Sequence, residues 1–183
     1  MTDKAKLAFI MIGVSGCGKS TVMKHFAAKM ANECDDIRVF SLDTCRLDFA
    51  VQELGEATYA QAFELGITRK QDFDAFVNVA WKEALKGDCL FVDNTNLTRK
   101  GRARWCTEAR KKGFTIWAVQ VMAPLQVVLD RQSTRGDKSV PLGIVKDMYM
   151  RQQEVLVGDE VDFMFVVDGT IPDPIMHASI HLV

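Results

Sequence analysis

Apolar runs and helical periods alternate along the whole chain. Leu7-Ala8-Phe9-Ile10-Met11-Ile12 is a short continuous apolar run, the pattern of a strand covered on both faces. Behind it Val22, Phe26, Ala27 and Met30 recur at helical spacing, and Ile37 to Leu42 reads as a second strand. Phe73, Phe76, Val77, Ala80, Trp81 and Ala84 follow the i, i+3, i+4, i+7 rule and predict an amphipathic helix over residues 70–86. Gly87-Asp88 ends it, and Cys89 to Val92 is a third strand. Thr98 suits the N-cap of a helix running to Lys112, with Gly113 at C′. Phe114 to Val121 is a fourth strand, and Pro124 opens a helix carrying Val127, Val128 and Arg131. A turn-rich loop at 136–141 precedes a helical stretch from Leu142 to Leu156, then a last strand from Val161 to Val167 and a tail with Gly169, Pro172 and Pro174. About five strands alternating with helices predict an α/β fold, a parallel sheet with helices on both faces. No repeat or linker interrupts the pattern, so a single domain over residues 1–183 is expected.

Composition adds mostly exclusions. The 23 Lys+Arg against 24 Asp+Glu give a formal charge of -1, without the basic excess usual in nucleic-acid binders. The longest uncharged run, Gly113 to Leu129, contains Gln120, Pro124 and Gln126 and is short of the ~20 apolar residues of a membrane span. The N-terminus shows no secretory pattern, so a cytoplasmic location and no membrane partner are expected. Cys17, Cys34, Cys45, Cys89 and Cys106 are odd in number and never at zinc-knuckle spacing, which predicts thiols rather than disulfides. Of the three histidines, His177 and His181 sit in the tail and suggest solvated side chains rather than a metal site.

Gly13-Val14-Ser15-Gly16-Cys17-Gly18-Lys19-Ser20-Thr21 matches G-x-x-x-x-G-K-[ST] between an apolar strand and a helical period. In that context the loop cradles phosphates on backbone N–H groups at a helix N-terminus. Lys19 then reaches the β- and γ-phosphates and the Ser20 hydroxyl ligates magnesium. Cys17 reads as a small filler pointing away from phosphate. The chain has no Asn-Lys pair and no Asp followed three residues later by Gly, which disfavours a switch GTPase.

Phosphoryl transfer needs a base for the acceptor hydroxyl and cations around the moving group. Asp43 follows the second strand at the sheet edge where ligands bind in such folds, and Arg46 lies one helical turn on. The alternative is an N-cap Asp with a solvated Arg. Asp93-Asn94-Thr95-Asn96 follows the third strand at the same edge, and either Asp93 or Asn94 can take the metal-holding position. Arg131 and Arg135, four apart, suit a lid over the phosphates or cationic capping of a helix end. Seven Lys and Arg between Arg99 and Lys112 offer a strand-tracking surface or a solvated helix face, with Trp105 and Cys106 packing inward.

Together Gly13–Thr21, Asp43–Arg46, Val92–Leu97 with its basic helix, and Arg131 through Tyr149 resemble the kinase domain of the phage-type 5′-polynucleotide kinases. That resemblance implies transfer of the γ-phosphate of ATP, with magnesium, to the 5′-hydroxyl of a DNA or RNA strand. It implies Asp43 as general base, Arg46 on the acceptor strand's phosphate, Arg135 on the donor phosphates and Arg131 as a second lid contact. The family's bifunctional members continue into a phosphatase opened by Asp-x-Asp-Gly-Thr. Here Val166-Val167-Asp168-Gly169-Thr170 has valine at the nucleophile position, and only 13 residues follow Thr170, so no phosphatase domain is expected. Asp168 to Pro174 can form a wall of the base pocket. The alternatives are a P-loop kinase of gluconate, a nucleoside or a nucleotide, and a nucleotide-binding regulatory module without an acceptor.

Overall fold

The computed structural model describes residues 5–171 and, as backbone, 179–181. The strands are β1 (Lys6–Ile12), β2 (Ile37–Phe40), β3 (Cys89–Asp93), β4 (Phe114–Met122), β5 (Phe163–Asp168) and β6 (Ser179–His181). The helices are α1 (Lys19–Met30), α2 (Leu42–Leu54), α3 (Tyr59–Thr68), α4 (Lys70–Ala84), α5 (Arg99–Arg110), α6 (Leu125–Gln132) and α7 (Leu142–Met150). One sheet runs in the order β2-β3-β1-β4-β5-β6. The first five strands are parallel and β6 joins antiparallel at the edge, one strand more than the apolar pattern predicts.

Alternation along the central strands divides the core in two. Ala8, Ile10, Ile12, Leu90, Val92, Ile116 and Ala118 face α2, α4 and α5, where Phe40, Trp81 and Trp105 form an aromatic cluster with ring centroids 4.8–5.0 Å apart. Phe9, Met11, Phe91, Val119, Val121 and Val167 face α1, α6 and α7. Because all five parallel strands end at one edge, the segments after β1, β2, β3, β4 and β5 converge there, as parallel sheets require.

Element ends differ from the sequence pattern for identifiable reasons. β2 stops at Phe40 because Ser41 caps α2, its side chain accepting from Thr44 N, while Leu42 N–H donates to Asn94 Oδ1 at 2.8 Å. α3 has its own reciprocal capping box between Thr58 and Gln61. α7 ends at Met150 rather than Leu156, and Gln153 N–H, which a continuing helix would have turned back on itself, donates to Leu97 O at 2.8 Å while Arg102 binds the carbonyls beyond. Its Nη1 donates to Gln153 O at 3.4 Å and its Nη2 to Glu154 O at 2.8 Å.

Arg102 belongs to the run with a predicted strand-tracking face, yet its side chain is fully buried. Besides those carbonyls it donates to Asn96 O and Leu97 O, and it pairs with Glu160 at 2.9 Å. It therefore ties the loop after β3 to the segment before β5. A buried cation carrying this many acceptors leaves all of them unpaired when removed. Arg102→Leu is expected to cost about 3–5 kcal/mol of stability, the scale for breaking a buried ion pair, read from urea unfolding midpoints.

Candidate active site

The loop between β1 and α1 turns tightly into the helix. Gly18 sits at φ 105°, and a Cβ on it would lie 2.9 Å from the carbonyl oxygen of Gly169. Ser15, Gly16, Gly18, Lys19, Ser20 and Thr21 line a cleft of about 690 Å³, together with Asp43, Asp93, Asn94, Arg131, Arg135 and Lys138. Gly13 and Cys17, expected among the nucleotide contacts, lie behind that wall instead. Gly13 N–H donates to Thr95 O, and Cys17 N–H closes a turn on Val14 O while its side chain is buried in the core. Cys17 is thus the filler that its size suggests.

Three of the loop's carbonyls accept from side chains. Lys19 Nζ donates to Val14 O at 2.9 Å, Gln132 Nε2 to Ser15 O at 2.8 Å, and Arg131 Nη1 to Gly16 O at 3.2 Å. Arg131 Nη2 reaches Gly169 O at 3.0 Å. Arg131 thus braces the cleft floor through both terminal nitrogens, each of which keeps a second N–H, and its side chain lines the cleft. Arg135 Nη1 donates to the Ser15 hydroxyl at 2.8 Å and is the arginine over the loop's open side.

Asp93 and Asn94 separate cleanly. Ser20 Oγ donates to Asp93 Oδ2 at 3.0 Å, which brings a hydroxyl and a carboxylate, two hard oxygen ligands, to one point. Such a donor set fits magnesium, which takes few protein ligands and completes its shell with water and phosphate. Asn94 has its oxygen engaged by Leu42 N–H, while Asp93 is the one paired with the Ser20 hydroxyl.

Asp43 sits in the first turn of α2, not at its cap, and Arg46 Nη1 donates to its Oδ1 at 2.7 Å. A second cleft of about 630 Å³ opens beside it between α3 and α7, and Ser15, Asp43, Asn94 and Thr95 line both clefts. Its walls are apolar: Phe63 and Ile67 from α3, and Ile144 and Met148 from α7. The Arg46 guanidinium lies 5.2 Å from the Phe63 ring centroid. Tyr59, the first residue of α3, is half-buried here, and burial followed by the neighbouring Asp43 carboxylate pushes its phenol up to about 12.

On α5, Trp105 and Cys106 pack inward as expected. Arg104 pairs with Glu108 and Arg110 with Asp162, so much of this helix's charge is used internally. The Asp168-Gly169-Thr170 turn serves the phosphate cleft. A Cβ on Gly169 would fall 1.9 Å from Cys17 O, and Thr170 donates through N–H and hydroxyl to Asp168, holding its carboxyl below the usual range. Gly169, Thr170 and Ile171 line this cleft, whereas Pro172, Pro174 and His177 lie outside the described residues. Among the described residues no disulfide joins the cysteines, and no helix is long and apolar enough to cross a membrane.

The pattern reading missed Gln132, Tyr59 and Phe63. Gln132 was legible as a polar residue four positions after Val128 on the buried face of α6. The other two follow Thr58-Tyr59-Ala60-Gln61, a capping-box signature in the stretch left unassigned.

The model of the AAA domain family matches residues 9–155. An L-seryl-tRNA(Sec) kinase of Methanococcus maripaludis is 28% identical over 148 residues, 78% of this chain and 51% of that enzyme, so the chain spans about half the length of this curated relative. A gluconokinase from Sinorhizobium meliloti superposes with a TM-score of 0.53 at 14% identity, covering 92% of this chain and 86% of that one. Kti12 of Chaetomium thermophilum, solved with ADP-AlF3, superposes at 0.62 and 16% identity over 88% of each chain. These likenesses establish a P-loop kinase type of fold.

Gly169→Ala is expected to push the Cys17 carbonyl out of place at a cost of about 1–3 kcal/mol. It should also shrink the rise in melting temperature that a nucleoside triphosphate gives, read by thermal unfolding with and without nucleotide.

Proposed function

The chain belongs to the AAA domain family, and from that premise we propose that it is an ATP-dependent kinase acting on the hydroxyl of a small acceptor with a planar or apolar body, nucleoside or nucleotide in size. The observation that carries this reading is the position of Asp43, whose carboxylate lines both the phosphate cleft and the apolar cleft between α3 and α7. A regulatory module that only senses nucleotide has no use for a carboxylate shared with a second cleft. The apolar walls also argue against a polyol acid such as gluconate, whose hydroxyls would be left unpaired there.

In this reading the loop holds the triphosphate, with Lys19 and Arg135 against its β- and γ-phosphates. Ser20 and Asp93 hold magnesium, which would neutralise charge between those phosphates. Asp43 accepts the proton of the acceptor hydroxyl as its oxygen attacks the γ-phosphorus, whose bond to the β,γ-bridging oxygen breaks to release ADP. Positioning and charge neutralisation supply most of the acceleration in such transfers.

A second reading, the 5′-hydroxyl end of a DNA or RNA strand, is favoured by one feature. Arg46 stands beside Asp43, where it would meet a phosphate attached to the acceptor's own sugar. Against a long strand stands the charge of the acceptor cleft, in which Asp43, Glu64 and Asp137 outnumber Arg46.

Labelled ATP offered with nucleosides, gluconate, seryl-tRNA and a 5′-hydroxyl oligonucleotide decides among these. Label on nucleosides supports the first reading, label on the oligonucleotide alone moves the assignment to the second, and hydrolysis without transfer to any of them removes both. Asp43→Asn is expected to lower transfer by about 10²–10⁴-fold, the range of general-base contributions, with nucleotide binding retained in a titration. Arg135→Ala should lower turnover by about 10²-fold while the melting temperature stays near wild type, because its bond is to a side-chain hydroxyl rather than to the loop backbone.

A further inference from the structure

We propose that Tyr59 is a positioning residue for the base: its hydroxyl, reaching across from α3, donates to the Asp43 carboxylate and holds it toward the γ-phosphate. The inference rests on Asp43 being the base and goes beyond it by assigning a role to a residue outside the P-loop and its arginines.

The Asp43 carboxylate needs a second holder. Arg46 is on the same helix, its side chain 23% exposed against 55% for Asp43, and an exposed i,i+3 pair alone fixes geometry weakly. A base that wanders by an ångström loses much of its effect, so a constraint from another element matters. Tyr59 supplies that constraint. It lines the acceptor cleft but not the phosphate cleft, whereas Asp43 lines both, so the phenol approaches the carboxylate from the acceptor side.

Its backbone is fixed at the helix start. Thr58 Oγ1 accepts from Gln61 N–H at 3.3 Å, and Gln61 Oε1 accepts from Thr58 N–H at 2.8 Å. Asp43 and Arg46 line the same cleft as the phenol, and of the two only the carboxylate accepts a hydrogen bond. With a hydroxyl that stays protonated up to about 12, Tyr59 remains a donor throughout any working pH. Asp43 is thereby bracketed between a cation on α2 and a neutral donor on α3, and keeps lone-pair capacity for the incoming hydroxyl.

Tyr59→Phe keeps the ring and removes the hydroxyl. Expected is a fall in kcat of about 10-fold or more, the scale of one hydrogen bond to a charged group, with the KM for ATP unchanged and the melting temperature within a degree or two of wild type. The same change in an Asp43→Asn background should cost nothing further, because the residue acts through the carboxylate. Wild-type kcat in Tyr59→Phe overturns the proposal, as does an undiminished loss in the double variant. If Asp43→Asn itself leaves transfer intact, the base assignment is wrong and both fall. If Asp43→Asn is inactive but Tyr59→Phe is silent, only the role of Tyr59 fails.

Discussion

A loop that turns its N–H groups inward around phosphate turns its carbonyls outward, and those carbonyls must find donors. Much of the molecule on that side of the sheet answers this requirement. Lys19 takes Val14 O, Gln132 takes Ser15 O, and Arg131 takes Gly16 O and Gly169 O. Gln132 in turn accepts from Val140 N–H, so the loop is linked through α6 to the segment that carries Pro141 and α7. That is why a glutamine is fully buried in an otherwise apolar face of α6: its amide both donates and accepts, which neither leucine nor glutamate could do there.

The acceptor side depends on a different tie. Asn94 Oδ1 accepts Leu42 N–H, joining the end of β3, which presents Asp93, to the start of α2, which presents Asp43. The two carboxylates to which separate tasks are proposed are therefore tied together by one amide between adjacent strands. Asparagine suits the position because its oxygen satisfies the helix N-terminus without adding a third charge to the edge. Below it, Arg102 fixes the same loop through Asn96 O and Leu97 O, which makes a residue remote from phosphate part of the site's support.

How much of this could be read from residues alone follows from the range of each interaction. β1, the P-loop, α4 and the position of Asp43 are written in local periodicity and glycine spacing, and the sequence pattern finds them. The end of α7 is not local: Gln153 N–H goes to Leu97 O, and Arg102 takes the carbonyls of Gln153 and Glu154, all from about fifty positions away. Nor was the burial of Arg102 visible, since a cation in a basic run looks solvated until Glu160 is placed beside it. The pairing of β6 depends on a three-residue contact with β5, too short to leave an alternating pattern. Tyr59 and Phe63 stayed hidden because Gly55 to Ala57 interrupts the hydrophobic period just before α3, although the capping box itself was in plain view.

The overall charge of -1 conceals an opposition between the two clefts. The phosphate cleft is lined by Lys19, Arg131, Arg135 and Lys138 against Asp43 and Asp93, a cationic balance. The acceptor cleft is lined by Arg46 against Asp43, Glu64 and Asp137, an anionic one. On the proposed reading, transfer would move negative charge from a cleft that welcomes it toward one that does not. A neutral acceptor would enter the second cleft at little electrostatic cost, but once phosphorylated it would meet three carboxylates and a single guanidinium, and like charges repel. The arrangement that would admit such a substrate would thus work against retention of its product, while the apolar walls would hold only the part of the acceptor that the reaction leaves unchanged.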